Sequence, residues 1–288
     1  MAYSFTTSDK TLSKGVRRIA LEQVSRALDH IEAPELPQDE AVHEIRKGVK
    51  KLRSLLRLVR PGLRDHGALD AQLRDAARQV SALRDAAVLL ETVNRLAPDG
   101  GLPALRTALS AAPHLEPRAT AKALNACKGA LEAARVGLKH LELASGGAKI
   151  LRAGLVASER EARTALTEFL RAPTAEAVHA FRKRVKDHLY HARLLTPVWP
   201  EIMEPMAAEA DRLAETLGQM NDLAVLAERI GQIDLPAAEA MAALDLAAAA
   251  RDDLGRSAMP LARRMFAGTP EDRAARWTAW WQIWREAG

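Results

Sequence analysis

The segment Val42-His43-Glu44-Ile45-Arg46-Lys47-Gly48-Val49-Lys50 returns 136 residues later as Val178-His179-Ala180-Phe181-Arg182-Lys183-Arg184-Val185-Lys186. The frame V-H-x-x-R-K-x-V-K is kept, and so is its tail: Arg57-Leu58 before Pro61 matches Arg193-Leu194 before Pro197. A long internal repeat fixes the organisation before any local preference is weighed, because whatever one copy folds into the other must also fold into. A second echo follows each copy. Leu83-Arg84-Asp85-Ala86-Ala87-Val88-Leu89 corresponds to Met220-Asn221-Asp222-Leu223-Ala224-Val225-Leu226 at an offset of 137.

The repeated unit is helical. Only 4% of the residues are aromatic, and Ala, Leu, Arg and Glu are abundant, which favours helix over strand throughout. Gly and Pro mark the expected stops. In the first half, helices are predicted over about 13–33, then over the basic segment to Pro61-Gly62, then over about 68–96. A fourth, broken by Pro113 and Pro117, runs to about 144. In the second half they cover about 150–170, 174–196, 206–233 and 237–267, the last interrupted near Pro260. The reading is one all-α domain over residues 11–288, built of two four-helix units related by internal pseudo-twofold symmetry. Residues 11–145 form the first half and 148–268 the second, and a C-terminal Trp-rich helix, 269–288, packs on the bundle.

Charge is concentrated on the repeated helices. Seven Lys or Arg stand against one acid between Val42 and Arg60, and five against one between Val178 and Leu195. These segments carry +6 and +4 of a total net charge of +5, so the rest of the chain is net −5. With His43 set at zero on a helical wheel, Arg46, Lys47, Lys50, Lys51, Arg53 and Arg57 fall within about 80° of it. Val42, Ile45, Val49, Leu52, Leu56 and Val59 take the other side. In the second copy His179, Arg182, Lys183, Lys186, Tyr190 and Arg193 share the polar face, while Val178, Phe181, Val185 and Ala192 turn inward. Like charges three and four residues apart cost a few tenths of a kcal/mol per pair. A face kept at one sign in both copies therefore points to an anionic partner rather than to solvation alone.

The doubled V-H-x-x-R-K-x-V-K element, followed by R-D or N-D before an apolar V-L, resembles the CHAD family, the conserved histidine α-helical domain. The resemblance spans about Thr11 to Trp284. It implies two four-helix bundles around a basic central groove or pore, binding of inorganic polyphosphate and, for some members, residence on polyphosphate granules. Carried over by position, the implied ligand-facing set is His43, Arg46, Lys47, Lys50, Arg53 and Arg57 with His179, Arg182, Lys183, Lys186 and Arg193; the wheel adds Tyr190 to that face. Lys51, Arg53 and Ser54 are matched by Asp187, Leu189 and Tyr190, so the second copy is thinner in charge. The physics of a polyphosphate agrees. It offers charge and no base edges, so recognition is a matter of dense Arg forks and mobile Lys charges. A helix of about 18 residues is about 27 Å long, enough to follow several phosphates. Nucleic acid and anionic lipid are alternative partners for the same faces, although few aromatics stand among the cations to stack on single-stranded bases.

The remaining signals are weaker. Asp85 and Asp222 are matched acids that either orient a basic side chain or make a helix–helix ion pair. His188 and His191 form H-x-x-H; a His-based metal site is the lesser reading, since no Cys or Glu completes a known ligand spacing. His188 takes the place of Leu52, which favours a packed histidine. Trp277, Trp280, Trp281 and Trp284 form one stripe of a helix that Thr269, Pro270, Glu271 and Asp272 are suited to start. Packing against the bundle is expected, with an oligomer contact or a membrane surface as alternatives.

No G-x-x-x-x-G-K-[ST], G-x-S-x-G or H-E-x-x-H is present. A binding protein with no catalytic residues, no cofactor and no metal is expected. The single Cys127 excludes an internal disulfide framework. The first ten residues lack a signal-peptide core, and no apolar run approaches the roughly 18 residues of a membrane span. The expectation is a cytoplasmic protein on polyphosphate granules, in contact with the polymer and with granule proteins.

Overall fold

The computed structural model describes residues 3–33, 37–81, 83, 85–111 and 117–287; the side chains of 38, 39, 85–87 and 117 fall outside that description. Every described regular element is helical. The long helices are α1 (Leu12–Glu32), α2 (Gln38–Leu58), α3 (His66–Gln79), α4 (Asp85–Leu96), α5 (Pro103–Ser110), α6 (Pro117–Lys139), α7 (Gly147–Arg171), α8 (Ala175–Leu194), α9 (Pro200–Ile230), α10 (Ala237–Met265) and α11 (Pro270–Ala287). Short 3-10 turns at Arg60–Gly62 and Thr196–Val198 follow the two basic helices, each built on the Pro that ends the repeat. Side-chain caps start the helices where the sequence offers Thr. Thr11 accepts from the Lys14 N–H at 3.2 Å, Thr174 from Ala177 at 3.2 Å and Thr269 from Asp272 at 3.1 Å.

The order of packing recurs. α1 lies on α2 as α7 lies on α8; α2 lies on α3 as α8 lies on α9; α3 meets α6 as α9 meets α10. The two basic helices, α2 and α8, also pack on each other. Between the halves α7 lies directly against the end of α2: a Cβ at Gly154 would stand 1.6 Å from the Leu58 carbonyl oxygen. Only a glycine allows this approach.

Burial follows the wheel. Val42, Ile45, Val49, Leu52, Leu56 and Val59 of α2 are sealed from solvent, as are Val178, Phe181, Val185 and Ala192 of α8. The largest core joins α1, α2, α3, α6 and α7 to the end of α8, the start of α9 and α11. A second core is built on Phe169, Phe181 and Phe266, with Phe169 stacked on Phe181 at 5.3 Å. The third is formed by Leu89, Val93, Leu105 and Leu109 of α4 and α5 against Leu226 and Ile230 of α9 and Ala243 of α10. The Glu239 carboxylate of α10 accepts the Leu105 N–H at 2.8 Å. The α4–α5 hairpin thus leaves the helices that precede it and packs on the other half of the chain.

Several helix boundaries differ from the expectation; α9 starts at Pro200 rather than about 206 and runs through Pro205. The predicted helix over 68–96 is two helices, α3 and α4, and the change of direction lets α4 reach α9. Pro260 does not interrupt α10, which runs through it to Met265. Pro260 sits on the exposed face, where water can satisfy the carbonyl its missing N–H leaves unpaired. The stop at Pro34-Glu35-Leu36 and the break at Pro113 lie outside the described residues. In α11, Trp277 and Trp281 are buried, and Trp280 and Trp284 pack against the same core. Trp280 also meets Trp199 edge-on at 5.0 Å. Among the described residues no helix is long and apolar enough to cross a membrane.

Candidate functional site

The seam between α2 and α8 organises the charged residues. Ser54 donates to the Asp187 carbonyl at 3.4 Å, and His191 Nε2 donates to the Ser54 carbonyl at 3.1 Å. Ser54 lies near the middle of the polar arc that the wheel assigns to α2, and Tyr190, next to His191, lies near the middle of the arc on α8. The centre of the arc is therefore covered by the other copy, and its flanks remain open. Tyr190 is the clearest case. It is 4% exposed, lies edge-on to Tyr3 at 6.1 Å, and burial pushes its hydroxyl up to about 12. This corrects its assignment to the ligand-facing set: its ring packs inside, where a surface polyanion does not reach.

Cations from the two helices crowd together on both flanks. On one, Lys51 of α2 is held below the ordinary lysine range by burial first, then by Lys47 and Arg193. Its Nζ stands 5.5 Å from the Tyr3 ring centroid. On the other, Lys183 of α8 is lowered by burial and then by Arg184, Arg57 and Arg53. His179 is lowered by burial, then by Lys183 and Arg182; a hydrogen bond with Asn221 works in the opposite sense, and Lys50 of α2 adds to the lowering. His43 is exposed beside Glu44, 3.9 Å from its carboxylate. Arg46 is part-buried and Lys50 exposed.

Carboxylates from neighbouring helices enter this basic region. Arg53 forms a fork with Asp70 of α3, at 2.7 and 2.9 Å. Arg57 pairs with Asp187, which also takes Arg184 at 3.3 Å. Glu161 of α7 bridges Arg184 and Arg60, the latter at 2.9 Å. Asp211 of α9 bridges Lys186 at 3.0 Å and Arg193 at 2.8 Å. Lys47 pairs with Glu44 of its own helix at 2.9 Å. Burial alone would raise the Asp70 and Asp211 carboxyls, but their cationic partners outweigh it and hold both below the ordinary range. None of these partners was identified from the sequence. Apart from Glu44 with Lys47 and Asp187 with Arg184, each stands on a different helix from its cation, so periodicity carries no signal of those pairings.

Arg182 is positioned by α9. Its Nε donates to the Ala214 carbonyl at 3.3 Å, and a Cβ at Gly218 would stand 2.8 Å from its Nη2. Asp222 is part-buried; burial raises its carboxyl, and Arg182 pulls the other way. Arg182 is thus within electrostatic reach of Asp222. The matched Asp85 side chain lies outside the described residues.

The H-x-x-H pair is internal. His188 lies between Phe266 and Trp277, each ring 5.4 Å away, with Nδ1 3.9 Å from Glu159. Burial drives His188 well below the ordinary histidine value and lowers His191 as well. Among the described residues no three His, Cys, Asp or Glu side chains are grouped to hold a metal. Cys127 is buried, and burial raises its thiol to about 11, so it stays protonated and unreactive.

The chain is similar to known proteins at two levels. The family model described as "CHAD domain" matches residues 18–231, well over half of the chain. The chain belongs to the CHAD family. Among solved structures, PptA from Streptomyces chartreusis is similar with a TM-score of 0.64 and 17% identity, covering 91% of this chain and 100% of that one. At that identity the likeness is one of fold. No curated protein matches.

Proposed function

We propose that this CHAD-family chain binds inorganic polyphosphate along the basic flanks of α2 and α8 and performs no chemistry on it. The observation that carries the reading is the packing of the two basic helices on each other, which brings Lys51 within electrostatic reach of Arg193, and Lys183 within that of Arg53 and Arg57. Bringing like charges from two distant segments together costs free energy that a polyanion recovers. Inorganic polyphosphate suits such a surface, since it carries about one charge per phosphate and can thread along a helix without base recognition. The family's association with this polymer supports the same ligand. The proposed contact set is His43, Arg46, Lys47, Lys50, Arg53, Arg57, His179, Arg182, Lys183, Lys186 and Arg193. Arg53 and Arg57 act from within ion pairs, as Lys186 and Arg193 do. Asp222 orients Arg182.

A cytoplasmic place on polyphosphate granules belongs to this proposal. So does an origin by duplication, with halves 11–145 and 148–268 and the Trp-rich helix 269–288 added at the end. The retained offset of the V-H-x-x-R-K-x-V-K frame supports it.

The test is direct binding of defined-length polyphosphate to wild type and to the variant Arg46→Glu/Lys50→Glu/Arg182→Glu/Lys186→Glu. Loss of binding in a folded variant is expected, and unchanged affinity would remove the basic faces from consideration. Competition with RNA and with anionic vesicles decides the partner. Displacement by polyphosphate at far lower phosphate equivalents is expected; the reverse would make nucleic acid or lipid the ligand.

A further inference from the structure

We infer that the Asp211 carboxylate fills, in the free protein, the place of a phosphoryl group between Lys186 and Arg193, and so sets the affinity of the site from within. This rests on the polyphosphate reading above. Lys186 and Arg193 are two turns apart on α8, yet both heads reach one carboxylate on α9. Lys186 Nζ meets Oδ1 at 3.0 Å and Arg193 Nη2 meets Oδ2 at 2.8 Å. The arrangement is that of an Arg and a Lys gripping two oxygens of one anion, which serves a phosphoryl group as well as a carboxylate.

Exposure shows that this anion can be exchanged. The Asp211 side chain is 44% exposed and its two partners are part-exposed, so a ligand reaches them without opening the core. Asp187, on the opposite flank, is the contrast. Its side chain is 3% exposed and locked between Arg57 and Arg184, so a polymer cannot take its place. Lys51, on the helix packed against α8, is within electrostatic reach of Arg193 and among the described residues makes no salt bridge of its own. A phosphoryl group that displaced Asp211 would gain Lys186, Arg193 and the neighbouring Lys51, and would return the carboxylate to water. A pair this exposed contributes little to stability, so Asp211 can be removed at small structural cost.

The experiment uses the full chain and long-chain inorganic polyphosphate, with calorimetric titration at several salt concentrations. Asp211→Asn keeps the shape and removes the charge. It is expected to bind about three- to tenfold tighter at about 0.1 M salt, with a salt dependence steeper by about one unit in the log–log slope. In the Lys186→Gln/Arg193→Gln background the same change should yield no gain. Asp211→Ser carries the same expectation if the Asn variant folds poorly. Affinity of Asp211→Asn equal to or weaker than wild type would overturn the inference while leaving the ligand in place. Wild type that fails to bind polyphosphate at all would overturn the ligand reading and this inference with it.

Discussion

Arg57 and Asp187 join the two basic helices by an ion pair, and the repeat offset maps that pair onto Arg193 and Lys51, two cations. One flank of the α2–α8 seam is thus bridged and the other is left like-charged. Asp187→Asn should leave Arg57 and Arg184 without their shared buried counter-ion and cost about 3 kcal/mol. Urea unfolding of the variant measures this. A double-mutant cycle with Arg57→Gln should show strong coupling between the two positions, and additive losses would mean the pair is not a unit.

Gly218→Ala should separate stability from binding. A methyl at this position meets the Arg182 guanidinium at 2.8 Å and pushes it off α9. Inside a helix, Ala is favoured over Gly by up to about 1 kcal/mol, and the obstacle is the movable end of a side chain. The unfolding midpoint should hold or rise, while affinity for polyphosphate falls about fivefold, near 1 kcal/mol. A fall in both would mean that Gly218 serves packing alone.

Binding should tighten as pH falls. His179 is lowered by burial and then by Lys183 and Arg182, so it is neutral at pH 7 in the free protein. A polyanion alongside favours the charged form, so binding takes up a proton, and each proton taken up steepens affinity by at most tenfold per pH unit. Titrations between pH 7.5 and about 6 on wild type and on His43→Ala/His179→Ala check this. The double variant should be flat.

Stability should move in the opposite direction. His188 and His191 are both buried with their values lowered, so the unfolded chain binds more protons than the folded one below about pH 6.5. Their contribution is complete above that value and is lost as pH falls below it, by at most about 1.4 kcal/mol per pH unit for each histidine. Glu159, raised by burial, has the contrary sign and offsets part of the loss nearer its own range. His188→Leu restores the residue that the first repeat carries at Leu52. It should flatten the decline of the urea midpoint between pH 7 and 5.5, and an unchanged decline would assign it to other groups.

Much of this architecture was legible in the chain because it is local. Period 3.6 separates Val49 and Val185 from Lys50 and Lys186, and Thr174 and Thr269 mark helix starts. What was not legible depends on a second helix. A wheel gives Tyr190 and Ser54 the middle of a polar arc, and only the presence of the opposite copy turns that middle into a seam. Asp70, Glu161 and Asp211 lie 17 to 101 residues from the cations they hold, and nothing in their own neighbourhoods announces it. The uncharged Ser54 and Tyr190, set among Lys and Arg, were the one available hint.

The α4–α5 hairpin has a consequence for how the protein can be divided. By sequence it belongs to the first repeat, yet Leu89, Val93, Leu105 and Leu109 find their partners on α9 and α10. A chain cut between Leu141 and Gly146 would therefore strand apolar surface on both fragments. Neither repeat is a module that could be recombined or expressed by itself, and the boundary written in the sequence is not a seam along which the folded molecule comes apart.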